Sequence, residues 1–334
     1  MKNRIALAIA LVLVLAGLAA LPLTHVKDNI INLVILVFLY VMLSSSWNIL
    51  GGLTGQTNLG HAAFFGLGSL ATRMLWLEAG WHILPSMLVG VGAAVALAFL
   101  IGLPAFRLRG VYFAIGTLAI GQILNVTVGN VLPEISAIPP RDLANYALLP
   151  RYYLFLVLAV LTVGAAYVLA NSRLGLGMMT VREEEDAAES LGISALQHKL
   201  AALVISASLA GLAGAAFAFY HVGYYPSFPF SPVWTFDSVM VTYLGGTGTV
   251  VGPVIGAVFY VVGKELLALK LADYHLIIFG ALFVLVVLFM PGGFVEAWNK
   301  IRKAIAHGGA QTRPPRPEKP GLGPLARERS ELSE

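Results

Sequence analysis

The chain offers few side chains that could carry out covalent or metal-dependent chemistry. No cysteine occurs among its 334 residues, which excludes disulfides, iron–sulfur clusters and thiol nucleophiles. The seven histidines are scattered and form no HExxH-like pairing, so we expect neither a metal site nor a cofactor. The nearest approach to a phosphate loop, Gly263-Lys264-Glu265, lacks the spaced glycine and the magnesium-binding hydroxyl. We therefore predict that the chain is not an enzyme and cannot hydrolyse ATP by itself.

One dense group of charges stands out, in the stretch VREEEDAAESLGISALQHKL at residues 181–200. Five of the seven positions from Glu183 to Glu189 are acidic, although charged residues make up only 11% of the chain. Carboxylates at this density could recognise a basic surface on a partner. The alternative is a solvated acidic loop that contacts nothing.

Local signals predict a short helix within this acidic group. Thr180 and Glu183 match a capping box, and Gly192 suits the left-handed position that ends a helix. A helix of this length is unstable alone and needs something to pack against. One side would carry Ala187, Ala188 and Leu191, and the opposite side would carry Arg182, Asp186 and Glu189.

The elements that must position this segment are transmembrane helices. Hydrophobic residues make up 58% of the chain, more than a water-soluble protein of this size needs. Several apolar runs are continuous, not alternating, and reach the roughly 20 residues that a membrane-spanning helix requires. The fold class is therefore an all-α polytopic membrane protein. The first run could alternatively be a signal peptide. The runs are Ile5–Leu23, Ile30–Leu50, Ile83–Leu103, Val111–Val131, Tyr152–Ala170, Leu200–Tyr220 and Tyr274–Met290.

The distribution of basic residues predicts the orientation. Adding two shorter or broken spans, His61–Leu77 and Phe236–Val250, together with Val251–Leu269 gives about ten crossings. With a cytoplasmic N-terminus, fifteen lysines and arginines lie inside and four outside, as the positive-inside rule requires. Both termini would then be cytoplasmic, and so would the loop 172–199. The basic residues form no patch interleaved with aromatic residues, so no nucleic-acid partner is expected.

The composition also predicts two domains. Residues 1–307 would form the transmembrane domain, with loop 172–199 on its cytoplasmic face. Residues 308–334 are rich in proline, glycine and charge, which is typical of a disordered cytoplasmic tail.

Two glycine-rich segments interrupt the apolar pattern. The first is LGGLTGQTNLGHAAFFGLGS (Leu50–Ser69), and the second is YLGGTGTVVGPVIGAVF (Tyr243–Phe259). Non-helical backbone at membrane depth persists only where protein or a water-lined cavity satisfies it, and broken helices often flank a transport path. The candidate path residues are Gly51, Gly52, Gln56, Asn58, His61, Gly245 and Gly246.

Structural roles remain open for the same segments. Glycines and alanines spaced by four favour close helix packing, and the polar side chains could simply satisfy broken-helix backbone. Asp237 is expected to cap or anchor the outer end of the second broken helix. The small-residue rows are Ala207, Gly211 and Ala215, and Gly248, Gly252 and Gly256.

The run Asp186-Ala187-Ala188-x-x-x-Gly192 resembles the EAA loop of ABC importer permeases, which docks into a cleft on the ATP-binding subunit. Asp186 replaces the glutamate that many members carry. NILGGLTGQTNLGHAAFFGLGS, GVYFAIGTLAIGQIL and VISASLAGLAGAAFAF are similar to LivM/LivH-type permeases of branched-chain amino acid importers. The resemblance covers about 250 residues, beyond which lie the N-terminal helix and the C-terminal tail. It assigns the ATPase-coupling helix to Arg182, Glu185, Asp186, Ala187, Ala188, Glu189, Leu191 and Gly192.

The resemblance implies a type II ABC importer-like architecture in the bacterial inner membrane. Its expected partners are ABC ATP-binding subunits, a second permease subunit (related or identical), an extracytoplasmic binding protein and membrane lipid. The implied cargo is a branched-chain or similar hydrophobic amino acid. Urea, short amides or aromatic acids are alternative cargoes within the family. An ion-coupled secondary transporter is the alternative from another class, and it would require an ionisable residue at mid-membrane.

Overall fold

The computed structural model describes residues 2–270 except His25 and Asn145, a few positions between 278 and 288, and residues 292–307. Most of the expected span Tyr274–Met290 and the whole expected tail 308–334 lie outside the described residues. The contacts divide the chain into a unit that ends at Glu296 and a second unit that begins at Ala297. In the second unit, residues 297–307 are helical.

Helices dominate the described part of the chain. Their bounds are α1 Lys2–Ala20, α2 Asp28–Asn48, α3 His61–Arg73, α4 Ile83–Ala105, α5 Val111–Val131, α6 Pro140–Leu143, α7 Leu148–Ala170, α8 Arg173–Glu183, α9 Glu185–Ser190, α10 Ala195–Tyr220, α11 Pro232–Gly245, α12 Val251–Lys270 and α13 Gly293–His307. Wider helical turns extend α2 over Ile49–Leu53 and α3 over Met74–Glu78, and short 3-10 turns occur at Leu21–Thr24 and Phe228–Phe230. Strands β1 (Ser136–Ala137) and β2 (Gly223–Tyr224) pair antiparallel.

Within the described residues, six helices are long and apolar enough to cross a membrane. They are α2 with its extension, α4, α5, α7, α10 and α12 through Ala268. The helices α3 and α11 are shorter, with 13 and 14 residues, as the two glycine-rich interruptions predicted. The prediction of an all-α membrane protein is confirmed, and the number of ten crossings stays a prediction.

Small residues bring the central helices into close contact. In α10 both Ala207 and Ala215 are fully buried. A methyl group added to Gly211 would collide with Ala94 of α4, and one added to Gly68 of α3 would collide with the Gly211 backbone. The packing role predicted for this row is confirmed, because only residues without bulk allow backbones to approach so closely.

The helix α11 begins four residues earlier than predicted. Ser231 caps it, accepting a hydrogen bond from Val233 N at 3.4 Å, and Pro232 occupies the first turn. This serine–proline pair is a stronger start signal than the acid further along. The capping role predicted for Asp237 is therefore wrong, whereas the anchoring role that the same prediction allowed agrees with its contacts. Its carboxylate instead accepts from the Tyr40 hydroxyl at 2.8 Å and lies 3.6 Å from Lys264 Nζ.

Candidate functional site

The predicted coupling segment folds as two short helices joined by one extended residue. Ser172 starts α8, because its hydroxyl accepts a hydrogen bond from Gly175 N at 3.1 Å. The helix runs to Glu183, and Glu184 is extended with φ −157° and ψ 113°. The shorter helix α9 then begins at Glu185.

The predicted capping box is wrong. Thr180 lies inside α8, and its hydroxyl donates to Leu176 O at 3.0 Å instead of capping a new helix. The physical reason is that Ser172 provides an earlier cap, and the buried pair Met178 and Val181 continues the apolar face of α8 past Thr180. The earlier cap and tertiary packing therefore outweigh the local capping-box motif.

The end of α9 forms as predicted. Gly192 has φ +83°, and its N–H donates to Glu189 O at 2.9 Å. The N–H of Ile193 donates to Ala188 O at 3.0 Å. Together these two bonds make a Schellman motif, and Ile193 packs against the buried cluster that contains Ala188. The left-handed position predicted for Gly192 is confirmed.

This geometry gives the first expected result. Replacing Gly192 with valine should destabilise the end of α9 by about 1–2 kcal/mol, because a Cβ atom clashes with the backbone in the left-handed region. Hydrogen exchange of amides 185–193 in the purified protein measures the effect. Gly164→Val is the matched control, since nothing lies within 4 Å of a Cβ added at Gly164. Equal protection in both variants would show that the left-handed turn is dispensable.

Ala188 provides the apolar attachment of α9 to the rest of the protein. Its side chain is completely buried against Val181 and Ala195. Ala187 is exposed, and Leu191 is 77% exposed. The expectation that Ala187, Ala188 and Leu191 form one side is therefore wrong, because α9 is only six residues long and packs on its Ala188 edge.

The acidic residues of α9 fall into two groups. Glu185 points inward and accepts a hydrogen bond from Lys199 Nζ at 2.6 Å, with Lys199 only 5% exposed. Asp186 and Glu189 face outward. Asp186 lies 3.7 Å from Arg109 on the protein surface, a contact of small energetic weight. The outward acids thus remain available to a partner, whereas Glu185 is committed to the fold.

Arg182 does not belong to the outward face of α9 as expected. It lies on α8, and its Nη1 atom donates to the carbonyl oxygen of Gly52 at 2.7 Å. Gly52 is a candidate path residue in the extension of α2. The structure thus brings together one predicted coupling residue and one predicted path residue.

The two glycine-rich segments meet through Asn48, a residue that the sequence analysis missed. Its Oδ1 atom accepts from Gly248 N at 2.8 Å, and its Nδ2 atom donates to Thr249 O at 2.9 Å. An amide at the end of an apolar span, two residues before Leu-Gly-Gly, was the available signal, because polar side chains at membrane depth need partners.

The other predicted path residues are mostly enclosed by protein. Asn58 is buried and accepts from Gly60 N at 2.9 Å, and His61 Nε2 lies 2.9 Å from Ser46 Oγ. Gln56 is partly exposed, and its backbone N–H donates to Leu50 O at 3.2 Å. Asn58 thus satisfies one backbone donor of the break, whereas His61 contacts a serine side chain.

The glycines of the predicted path serve close packing. Gly245 is buried where α11 meets α12, and a methyl group there would collide with Gly252. Gly246 is likewise buried, with φ +129°. Gly51 lies against the Trp47 indole ring.

A second surface that the sequence analysis missed is the open face of α5. This helix is the least buried of the six membrane-length helices. Its exposed positions include Gln122, Thr127 and Asn130 among apolar side chains. Amide and hydroxyl groups are unfavourable against lipid and often bind another helix instead. The available signal was their presence inside an otherwise apolar run.

The opposite end of α3 carries a structural arginine. Arg73 is 3% exposed and donates to three backbone carbonyls, one in the last turn of α10 and two in the connection to β2, among them His221 O at 2.6 Å. Its remaining bonds reach Ser136 in β1, at 3.0 Å to the hydroxyl and 2.8 Å to the carbonyl. All five N–H donors are thus engaged, so Arg73 joins the loops and has no donor left for a ligand.

Apolar membrane-length helices, two joined glycine-rich breaks and a fixed acidic surface define a multi-pass membrane transport protein. The chain belongs to the family of branched-chain amino acid transport system permease components, whose profile matches residues 29–287. It is a membrane permease subunit and not an enzyme. Families of this kind work with ATP-binding and binding-protein partners.

Three curated relatives are similar over most of the chain. The high-affinity branched-chain amino acid transport system permease protein LivM of Escherichia coli (strain K12) is 30% identical, over 85% of this chain and 74% of that protein. LivM of Salmonella typhimurium is 29% identical over 81% and 71%. A probable LivM of Methanocaldococcus jannaschii is 24% identical over 80% and 93%. No solved structure matches the chain.

Proposed function

We propose that the chain translocates branched-chain or similar hydrophobic amino acids as the membrane subunit of an ATP-driven importer. An external binding protein delivers the cargo, and separate ATP-binding subunits supply the energy. The names of its relatives support the cargo class. The proposal includes ten crossings in a type II arrangement, cytoplasmic termini in a bacterial inner membrane, a permease domain at 1–307 and a tail at 308–334.

The observation that carries the proposal is the outward acidic surface of α9. Asp186 and Glu189 are exposed, while Ala188 and Glu185 hold the helix against the protein. A rigid, charged protrusion suits a basic-rimmed cleft on an ATP-binding subunit, because complementary charge sets the register of docking. Closure of two such subunits would move this helix between two positions.

A second permease subunit completes the path in this proposal. The polar positions on the open face of α5 would then contact the partner helix or water instead of lipid. The α5 helix and the partner helix that it contacts would flank the glycine-rich segments of both subunits. Either a second copy or a related chain satisfies this requirement.

Selectivity is expected to reside in the binding protein. An amino-acid zwitterion needs partners for both charged ends, and the described side chains of the predicted path are neutral amides and an imidazole. Asp237 and Lys264 form an ion pair with each other, and Asp237 also accepts a hydrogen bond from Tyr40. Such a path lets cargo pass without holding it tightly.

Reconstitution into proteoliposomes tests the proposal. The complex with ATP-binding subunits and binding protein should take up labelled leucine, isoleucine or valine. Uptake should occur only when ATP is present on the side of the membrane that carries the ATP-binding subunits. A panel of urea, short amides and aromatic acids decides the cargo. Uptake that needs no ATP-binding subunit and collapses with a protonophore would favour the ion-coupled alternative and contradict the proposal.

A further inference from the structure

The Arg182 side chain extends from the coupling segment to the first glycine-rich segment and remains 41% exposed. The residue lies on the last turn of α8, three residues before α9 begins. Its guanidinium donates to Gly52 O at 2.7 Å, a carbonyl in the final turn of the extended α2. Carbonyls at a helix end have no intrahelical partner and attract cations. Arg182 therefore closes the end of a broken helix from outside.

The second glycine-rich segment lies on the other side of the Arg182 side chain. Gly248 has φ +75°, and a Cβ atom at this position would collide with Nη1 of Arg182. On the first segment, a Cβ atom at Gly55 would lie 3.2 Å from the Cγ atom of Arg182. Glycines from both segments thus make room for one arginine.

The two glycine-rich segments are also linked to each other beside Arg182. Asn48 bonds to Gly248 N and to Thr249 O, which joins the α2 end to the α11–α12 turn. The only ion-pair contact of Arg182 among the described residues is Glu183, at 4.0 Å with 80% of that side chain exposed. The guanidinium is thus held mainly by the path backbone, and exposed pairs of this kind contribute little.

We propose that Arg182 is a positioning residue that transmits movement of the coupling segment to the two glycine-rich segments. When ATP-binding subunits displace α8 and α9, the arginine displaces the carbonyl end of α2 and the adjoining Gly248 turn. This inference rests on the proposed function and assigns Arg182 an inward role in place of contact with the ATP-binding subunit. Coupling of this type requires a physical element that both sites bias.

The test uses the complete transporter in proteoliposomes with the Arg182→Ala and Arg182→Lys variants. Both should co-purify with ATP-binding subunits and retain ATP hydrolysis. Amino-acid uptake per ATP hydrolysed should fall roughly tenfold in Arg182→Ala, in the range of measured coupling energies. The lysine variant should recover part of it, because an ammonium can still donate to the Gly52 carbonyl. Arg173→Ala is the matched control, an exposed arginine at the other end of α8.

A spectroscopic readout separates transmission from general damage. The chain has no cysteine, so Thr57→Cys and Leu191→Cys each provide one labelling site on an exposed residue. ATP should change the spectrum of a spin label at both positions in the parent protein. In Arg182→Ala the response at position 191 should persist and the response at position 57 should disappear.

Two results would overturn the inference. An unchanged uptake per ATP in Arg182→Ala, with an unchanged response at position 57, would show that the arginine transmits nothing. Loss of co-purifying ATP-binding subunits in Arg182→Ala would assign it to docking instead. Failure of the parent complex to couple ATP hydrolysis to uptake is a separate result, which contradicts the proposed function itself.

Discussion

Replacing Asp186 and Glu189 with lysine is expected to separate the permease from its ATP-binding subunits. Both side chains face outward from α9, and Asp186 is 72% exposed. Two positive charges would then replace two negative ones opposite a basic-rimmed cleft, and like charges at an interface cost several kcal/mol. We expect association to weaken roughly a hundredfold, with a matching loss of ATP-driven uptake. Co-purification from the membrane measures the effect.

The matched control makes the same charge change elsewhere. Glu78 and Glu134 are exposed at the end of the molecule where Arg73 joins the loops. Replacing both with lysine should leave the ATP-binding subunits bound. Equal yield of the purified permease in both variants would show that membrane insertion is intact. If the α9 variant still retains its ATP-binding subunits, the acidic surface does not make the contact.

Elements set by short-range patterns were predictable from the sequence. Gly192 ends α9 in the left-handed conformation, because a helix end next to an exposed loop depends on only a few neighbouring residues. The row Ala207, Gly211 and Ala215 packs as expected, since a spacing of four already identifies one face of a helix. The start of α3 at His61 follows equally from the glycine-rich stretch before it.

Elements decided by competition between signals were not predictable. Thr180 and Glu183 form a valid local motif, but Ser172 caps the chain eight positions earlier, and the buried Met178 favours continuing that helix. The orientation of α9 was missed for a related reason. Helical spacing places Ala187, Ala188 and Leu191 near one another. In a helix of only six residues, however, Ala188 alone makes the buried apolar contact. Tertiary packing decides such cases.

The connections between distant segments could not be predicted either. Arg182 is 130 positions from Gly52, and Asn48 is 200 positions from Gly248. Sequence patterns indicate that a polar group at membrane depth needs a partner, but they do not identify the partner. The consequence for function is direct, because the residues most informative about coupling are the ones that link the coupling segment to the glycine-rich segments.

Breaking the ion pair between Glu185 and Lys199 is the second large expected effect. Lys199→Met would leave Glu185 beside a buried site without its charged partner at 2.6 Å. Fully buried pairs cost about 3–5 kcal/mol when one partner is removed. Glu185 keeps 29% of its side chain exposed, so we expect a smaller value of about 1–3 kcal/mol. The detachment of α9 should lower ATP-driven uptake and increase hydrogen exchange over 185–193.

The exchanged pair Glu185→Lys with Lys199→Glu distinguishes the ion pair from a simple need for either residue. The exchange restores opposite charges at the two positions, although a lysine at position 185, the first residue of α9, is disfavoured by the helix dipole. Uptake and amide protection should therefore recover at least partly. Glu184→Gln, which removes one exposed charge from the same segment, should change neither quantity. If the exchanged pair behaves like Lys199→Met, opposite charges at these positions are not sufficient, and the attachment of α9 requires the native residues themselves.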